Sequence, residues 1–231
     1  MQLKSTGFSL LEILISLSCG LIIAGTAIGL FISNLNTNLQ TLKITRLNQD
    51  LQTIMQYLVR DIRRIGQIDE SSLTLLIHSG QWNPFISSDN GKTLLFRLEK
   101  LNQSAPSYDC LLFSNDQNRN GKLDSDELFG YQRYYNSSSK SYSIKMSTRT
   151  NSCSGSNWQS FSDEKTININ QLSFQPIANR LGNDHKIILC QIQITLSGQL
   201  IQDPSISSQI SQLVQIANPI YDPNGTSKIC Q

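Results

Sequence analysis

Histidine is nearly missing from this chain of 231 residues: only His78 and His185 occur, far apart. No H-E-x-x-H, G-x-S-x-G or phosphate-binding loop appears, so the local signatures of metalloproteases, serine hydrolases and nucleotide enzymes are lacking. No enzymatic activity is expected. There is no C-x-x-C either, which with two isolated histidines argues against zinc. Charge of either sign is missing between Glu12 and Lys43, and proline is missing before Pro84. Nothing in that first third interrupts a long helix. A basic excess is also lacking: 19 Lys and Arg face 17 Asp and Glu. Direct nucleic-acid binding is therefore not expected.

What is present is concentrated at the start. A polar leader carries Lys4 and ends at Gly7; an apolar run then begins at Phe8, broken once by Glu12. Ile13 to Ser33 is about the length that crosses a bilayer as a helix. An ionisable residue at the edge of such a span is costly, and Glu12 reads as functional for that reason. Gly25 and Gly29 form a G-x-x-x-G, with Gly20 nearby, a spacing that lets membrane helices approach closely.

Lys-Ser-Thr-Gly-Phe-Ser-Leu-Leu-Glu, Lys4 to Glu12, resembles the class III signal of type IV prepilins and type II secretion pseudopilins. The resemblance implies cleavage by a prepilin peptidase between Gly7 and Phe8, then methylation of the Phe8 amine. An ordinary secretory signal is cut after its apolar region; here the cut precedes it, so the helix stays in the mature protein. The resemblance also gives Glu12 a partner, the free amine of Phe8 on a neighbouring subunit, and such pairing sets the register of helices in a filament. Lys4 keeps the N-terminus cytoplasmic, which places everything after about Ser33 outside the inner membrane. Losing the leader leaves 18 basic and 17 acidic residues.

Four stretches follow: a leader over 1–7, a membrane or filament-core helix over 8–33, its amphipathic continuation over 34–66, and an exported head over 67–231. Leu35, Leu39, Leu42, Leu47, Leu51, Ile54, Leu58, Ile62 and Ile65 recur three to five residues apart, an apolar stripe on a polar helix. Gly66 is a natural stop. At about 1.5 Å per residue a helix from Phe8 to Arg64 would run roughly 85 Å. Arg60, Arg63 and Arg64 form a solvated face.

From Ser72 onward short β-type runs alternate with turn residues. Strands are expected at Ser72–Ile77, Lys92–Leu98, Tyr108–Ser114, Leu128–Tyr135, Tyr142–Met146, Thr166–Phe174, Lys186–Leu196 and Gln209–Ile216. Loops are expected at Gln81–Gly91, Asn102–Ser107, Asn136–Lys140, Asn151–Gln159 and Asn179–Asn183. The fold class is α+β, an antiparallel sheet packed on a long N-terminal helix, which fits the type IV pilin fold that the signal implies. Trp82, Trp158, Tyr131, Tyr134 and Tyr135 are expected as core or sheet-face aromatics.

The stretch from Asp116 to Glu127 satisfies a calcium-loop pattern. Asp116, Asn118 and Asn120 offer oxygens at positions 1, 3 and 5, and Gly121 allows the turn. Lys122 offers its carbonyl, Asp124 acts directly or through water, and Glu127 closes the set. The flanks read as strands, so this is an EF-like loop in a β context. With Asn at two positions, affinity would be weak, roughly 10⁻⁴ to 10⁻³ M. The alternative is a metal-free hairpin loop.

Cys19 lies in the apolar span, leaving Cys110, Cys153, Cys190 and Cys230 outside. Four cysteines in an oxidising compartment allow two disulfides in three connectivities; Cys110–Cys153 with Cys190–Cys230 is favoured. CLLFSNDQNRNGKLDSDELFGYQRYY, then Cys153, Trp158 and INQLSF, is similar to PilW-like minor pilins, with GspJ-like pseudopilins second. The resemblance implies a minor pilin that primes a type IV pilus with other minor pilins, the major pilin and the inner-membrane assembly machinery. It would end at or near the tip, with indirect roles in adhesion, twitching motility or DNA uptake. The alternatives are a pseudopilin of type II secretion and an anchored calcium-binding adhesin outside any filament.

Overall fold

The computed structural model describes residues 9–72, 74, 83–85, 87–89, 92–94, 96–102, 107–181, 187–217, 220–221 and 230. Gly7 and Phe8 lie outside them, as do His78, Trp82 and His185. The chain divides into two compact units, Met1–Arg46 and Leu47–Gln231.

Helix α1 spans Leu10–Arg63. Leu, Gln, Met and Ala favour it, and several of its hydroxyls are satisfied locally. The hydroxyls of Ser16, Thr37, Thr41, Thr45 and Thr53 each donate to the carbonyl four residues back, which removes a cost of placing them in apolar surroundings. In the first unit every described residue is exposed. One window there has a mean hydropathy of 2.2, and α1 is long and apolar enough to cross a membrane. Gly20, Gly25 and Gly29 have open space where a Cβ would stand.

In the second unit α1 buries Leu47, Leu51, Ile54, Met55, Leu58, Val59 and Ile62. The expected stripe from Leu35 is thus corrected: Leu35, Leu39 and Leu42 are exposed. The apolar period runs on beyond the residues that the head buries, into the first unit, where these leucines are exposed. The helix stops as expected, in a turn at 64–66 with Gly66 at φ 68°, where glycine takes the left-handed conformation without steric cost.

Two larger sheets follow. The first holds β3 (Phe96–Glu99), β4 (Cys110–Ser114), β5 (Leu128–Asn136), β6 (Ser141–Ser147) and β7 (Gln159–Ser160), antiparallel and adjacent in chain order. The second holds β8 (Ile167–Leu181), β9 (Ile187–Leu200), β10 (Ser207–Gln215) and β11 (Ile220–Tyr221). Strand β9 is central, with β8 along one side and β10 and β11 along the other. Ile188, Cys190, Ile192, Ile194 and Leu196 alternate to the buried face of β9 and join the α1 stripe in one core. The sheets meet where Tyr108 bridges Phe174 and where Asn168 Oδ1 accepts the Tyr142 N–H at 2.7 Å.

Three local expectations are corrected. The strand expected at Ser72–Ile77 begins in helix: residues 70–72 and 74 are helical. Asp69 accepts the Ser71 N–H at 3.2 Å, an N-cap that overrides strand propensity. The expected loop at Gln81–Gly91 contains β1 (Ser87–Asp89), paired with β2 (Lys92–Leu94); the intervening Asn-Gly is a strong hairpin signal. Strand β8 runs through Asn179 to Leu181, because the backbone there pairs with Leu189, Ile188 and Ile187 of β9, which overrides the turn preference of Asn.

Candidate functional site

The helix start is built by its own sequence. Ser9 precedes α1, and its N–H donates to Glu12 Oε2 at 3.2 Å. This is half of a capping box, with Ser at the cap and Glu three residues on. The acidic group also sits where the helix dipole favours negative charge. Glu12 is exposed and is ringed by exposed Leu10, Leu11, Ile13 and Ile15. An anionic cap on an uncovered apolar helix is the first candidate site.

The second is the Asp116–Glu127 loop between β4 and β5. Asp116 and Glu127 are buried, at 5% and 1% exposure. Asp116 Oδ1 accepts the Asn120 N–H at 3.0 Å, and its Oδ2 accepts the N–H of Gly121 and of Asp69, each at 3.1 Å. Glu127 Oε1 accepts from Gln117 and Asn118 N–H at 2.8 and 3.1 Å, and Oε2 from Asp124 N–H at 3.1 Å. Asp124 Oδ2 accepts the side-chain amides of Asn118 and Asn120, both at 2.8 Å. These two bonds hold the Asp124 carboxyl below its usual range. The Oδ1 atoms of Asn118 and Asn120 accept the backbone N–H groups of Asn120 and Lys122.

The motif residues are therefore brought together, but as a loop closed by its own donors. Among the described residues no group of three or more His, Cys, Asp or Glu is gathered for a metal. The loop also fastens the end of α1 to the first sheet. Gly66 N–H donates to Ser114 O and Asp116 N–H to Gln67 O, both at 2.8 Å. Gly121 (φ 69°) lies so close that a Cβ would come within 2.4 Å of the Ser72 side chain.

Cys110 is bonded to Cys153 and Cys190 to Cys230, with Cα separations of 6.3 and 5.6 Å. The first bond forms a small satellite cluster with Leu112 and Trp158; the second is part of the main core. Cys19 is a free, exposed thiol.

The tyrosine cluster divides. Tyr131 is core, at 2% exposure, and its hydroxyl donates to Asp61 Oδ2 at 2.6 Å. Tyr134 and Tyr135 are exposed at 40% and 48% and line a groove with Trp158 that sequence reasoning missed. The signal for it was the Y-Q-R-Y-Y run of β5, whose residues alternate between faces. Arg60 is exposed and bonds Asp61 at 3.0 Å, and Arg63 is exposed.

A family model described as prepilin peptidase-dependent protein B matches residues 40–216. That match takes in the second half of α1 and most of the head, and lies wholly outside the Lys4–Glu12 signal. Two separate parts of the chain thus agree on a pilin-related role. A Haemophilus influenzae protein described as uncharacterized is 24% identical over 211 residues, covering 75% of this chain and 80% of its own length. No solved structure matches. With the family match extending over well more than half of its length, the chain belongs to the prepilin peptidase-dependent protein B family.

Proposed function

We propose that the chain is a minor pilin of a type IV pilus that helps to prime assembly and sits at or near the tip. The observation that carries this reading is the uncovered apolar start of α1, capped by Glu12, ahead of a folded disulfide-bonded head. A lone membrane anchor has no need of a carboxylate there; a subunit that packs helix against helix in a filament does. In this reading prepilin peptidase cuts after Gly7, Phe8 becomes the methylated N-terminus, and Glu12 neutralises the Phe8 amine of a neighbour. The head then faces the periplasm until assembly carries it outward, and other minor pilins are its partners.

The test is the mass of the N-terminal peptide from membrane fractions, together with Glu12→Ala. The expected result is a chain starting at methylated Phe8, and a variant that reaches the membrane but is lost from sheared pili. A chain starting at Met1 with active peptidase present, or full function of Glu12→Ala, would overturn the reading and leave an anchored adhesin. Recovery only with secretion-system subunits would instead assign it to type II secretion.

Calcium belongs to this reading as a stiffener of the Asp116 loop. The holders would be Asp116, Asn118, Asn120, Asp124, Glu127 and the Lys122 carbonyl. The amides of Asn118 and Asn120 would have to turn their oxygens to where their nitrogens now meet Asp124. Bound calcium would supply positive charge in place of those N–H groups. Calcium at about 1–5 mM should raise the melting temperature of the wild type but not of Asp124→Ala. Equal curves with calcium and with chelator would leave the loop metal-free.

A further inference from the structure

We propose that the groove at the far end of β5 binds a neutral oligosaccharide. It encloses about 620 Å³, within the usual range for small-molecule sites. Strand β4 begins at Cys110 opposite Gln132, while β5 continues to Asn136. Successive β5 side chains from both faces therefore border the opening. Gln132, Tyr134, Tyr135, Tyr142, Lys145 and Trp158 are among the residues that line it.

Trp158 is held in place before any ligand arrives. With its amide turned to match its partners, Gln132 donates to Cys153 O at 3.0 Å and accepts the Trp158 indole N–H at 3.3 Å. Gly130 leaves room for the ring: a Cβ there would come 2.7 Å from Trp158 Cη2. The Cys110–Cys153 bond packs against the same indole. A ring fixed on three sides loses little entropy on binding.

The exposed tyrosines add further ring surface. Tyr135 and Tyr142 lie 5.0 Å apart at 55°. Lys145 Nζ stands 3.4 Å from the Tyr134 ring centre, and Arg133 covers Tyr142 at 3.6 Å. Phenol, amide, ammonium and indole are thus interleaved within one opening. A sugar presents the matching chemistry: apolar C–H faces for rings, and hydroxyls at the rim for donors and acceptors. Single-stranded nucleic acid also stacks on rings but needs a basic track for its phosphates. Here Asp109, buried in the same lining, offsets the charge of Arg133, and the whole chain is close to charge balance.

This inference does not rest on filament assembly, and its readout is independent of it. Full-length protein in nanodiscs free of sugar headgroups is mixed with maltotriose, cellotriose, chitotriose and lactose, and separately with a thymidine decanucleotide. Binding is read by saturation-transfer NMR. The expected result is transfer to the C–H protons of at least one sugar, persisting in about 0.5 M salt. A Tyr134→Ala, Tyr135→Ala double variant should weaken it by about tenfold or more. Both tyrosines are exposed, and an unchanged melting temperature would verify that this variant folds. Absence of transfer to every sugar overturns the proposal. So does transfer to the nucleotide alone that fades with salt, which would assign the groove to nucleic acid, and so does sugar binding unaltered in the double variant.

Discussion

Tyr131 joins sheet to helix through a single atom. Its hydroxyl donates to Asp61 on α1, whose other oxygen takes the Arg60 guanidinium at 3.0 Å. Phe113 and Phe161 pack its ring at 6.3 and 5.7 Å. Burial first, and the Asp61 charge second, push the phenol well above its ordinary value of 10.0. Folding therefore favours the protonated phenol. That contribution is complete below about pH 10 and is lost as pH rises toward the folded value. Tyr131→Phe should cost about 1.5–3 kcal/mol at neutral pH. It should also flatten the loss of stability above pH 10, read as urea midpoints across pH 7–11. Parallel curves for the two proteins would locate the alkaline loss elsewhere. Glu12 shows what one residue reveals in sequence: its spacing from Ser9 is a capping pattern, while any partner beyond the chain is not written in that pattern.

Helix α1 carries one apolar period through two environments. Leu51 is fully buried, and a Cβ added at Gly198 on β9 would lie 3.2 Å from its Cδ2, so the strand fits closely over it. Leu51→Ala should cost about 2–5 kcal/mol, measured by chemical denaturation. Leu39 is 56% exposed, and Leu39→Ala should change head stability by no more than about 0.5 kcal/mol. Sequence periodicity reveals which face is apolar, not what covers it, and so Leu39 and Leu51 look alike until the sheet is seen. Strands β4, β5, β6 and β9 were legible as β-type runs bounded by turn residues. The helical residues 70–72 and 74 were not, because their decisive signal is one cap, Asp69. The Asp116 loop was found by motif, but the partners of its oxygens follow from backbone geometry. Of the groove only the Y-Q-R-Y-Y run is marked in the sequence; β5–β6 register and the chain beyond β6 are what bring Tyr134, Lys145 and Trp158 together.

Across the whole molecule the two disulfides divide the head between them. Each closes a loop of similar length, with separations of 43 and 40 residues. Loops of that size are worth about 4 kcal/mol by chain entropy. Replacing Cys190 and Cys230 together by Ser should lower stability by about 2–5 kcal/mol, seen as an earlier unfolding midpoint under oxidising conditions. An unchanged midpoint would mean that the tail contributes nothing to the core.

The end of α1 has a mechanical consequence. Gly66 N–H holds Ser114 O on β4, while Ala217 N–H just beyond β10 holds Arg63 O at 3.1 Å. Strand β4 begins at Cys110, and Ile216 N–H holds Cys190 O at 3.0 Å. A pull drawn along the last turn of α1 would thus divide between two load paths, one through each large sheet. Each path leads within one strand or one residue to a covalent cross-link, so the head is reinforced where tension would enter it.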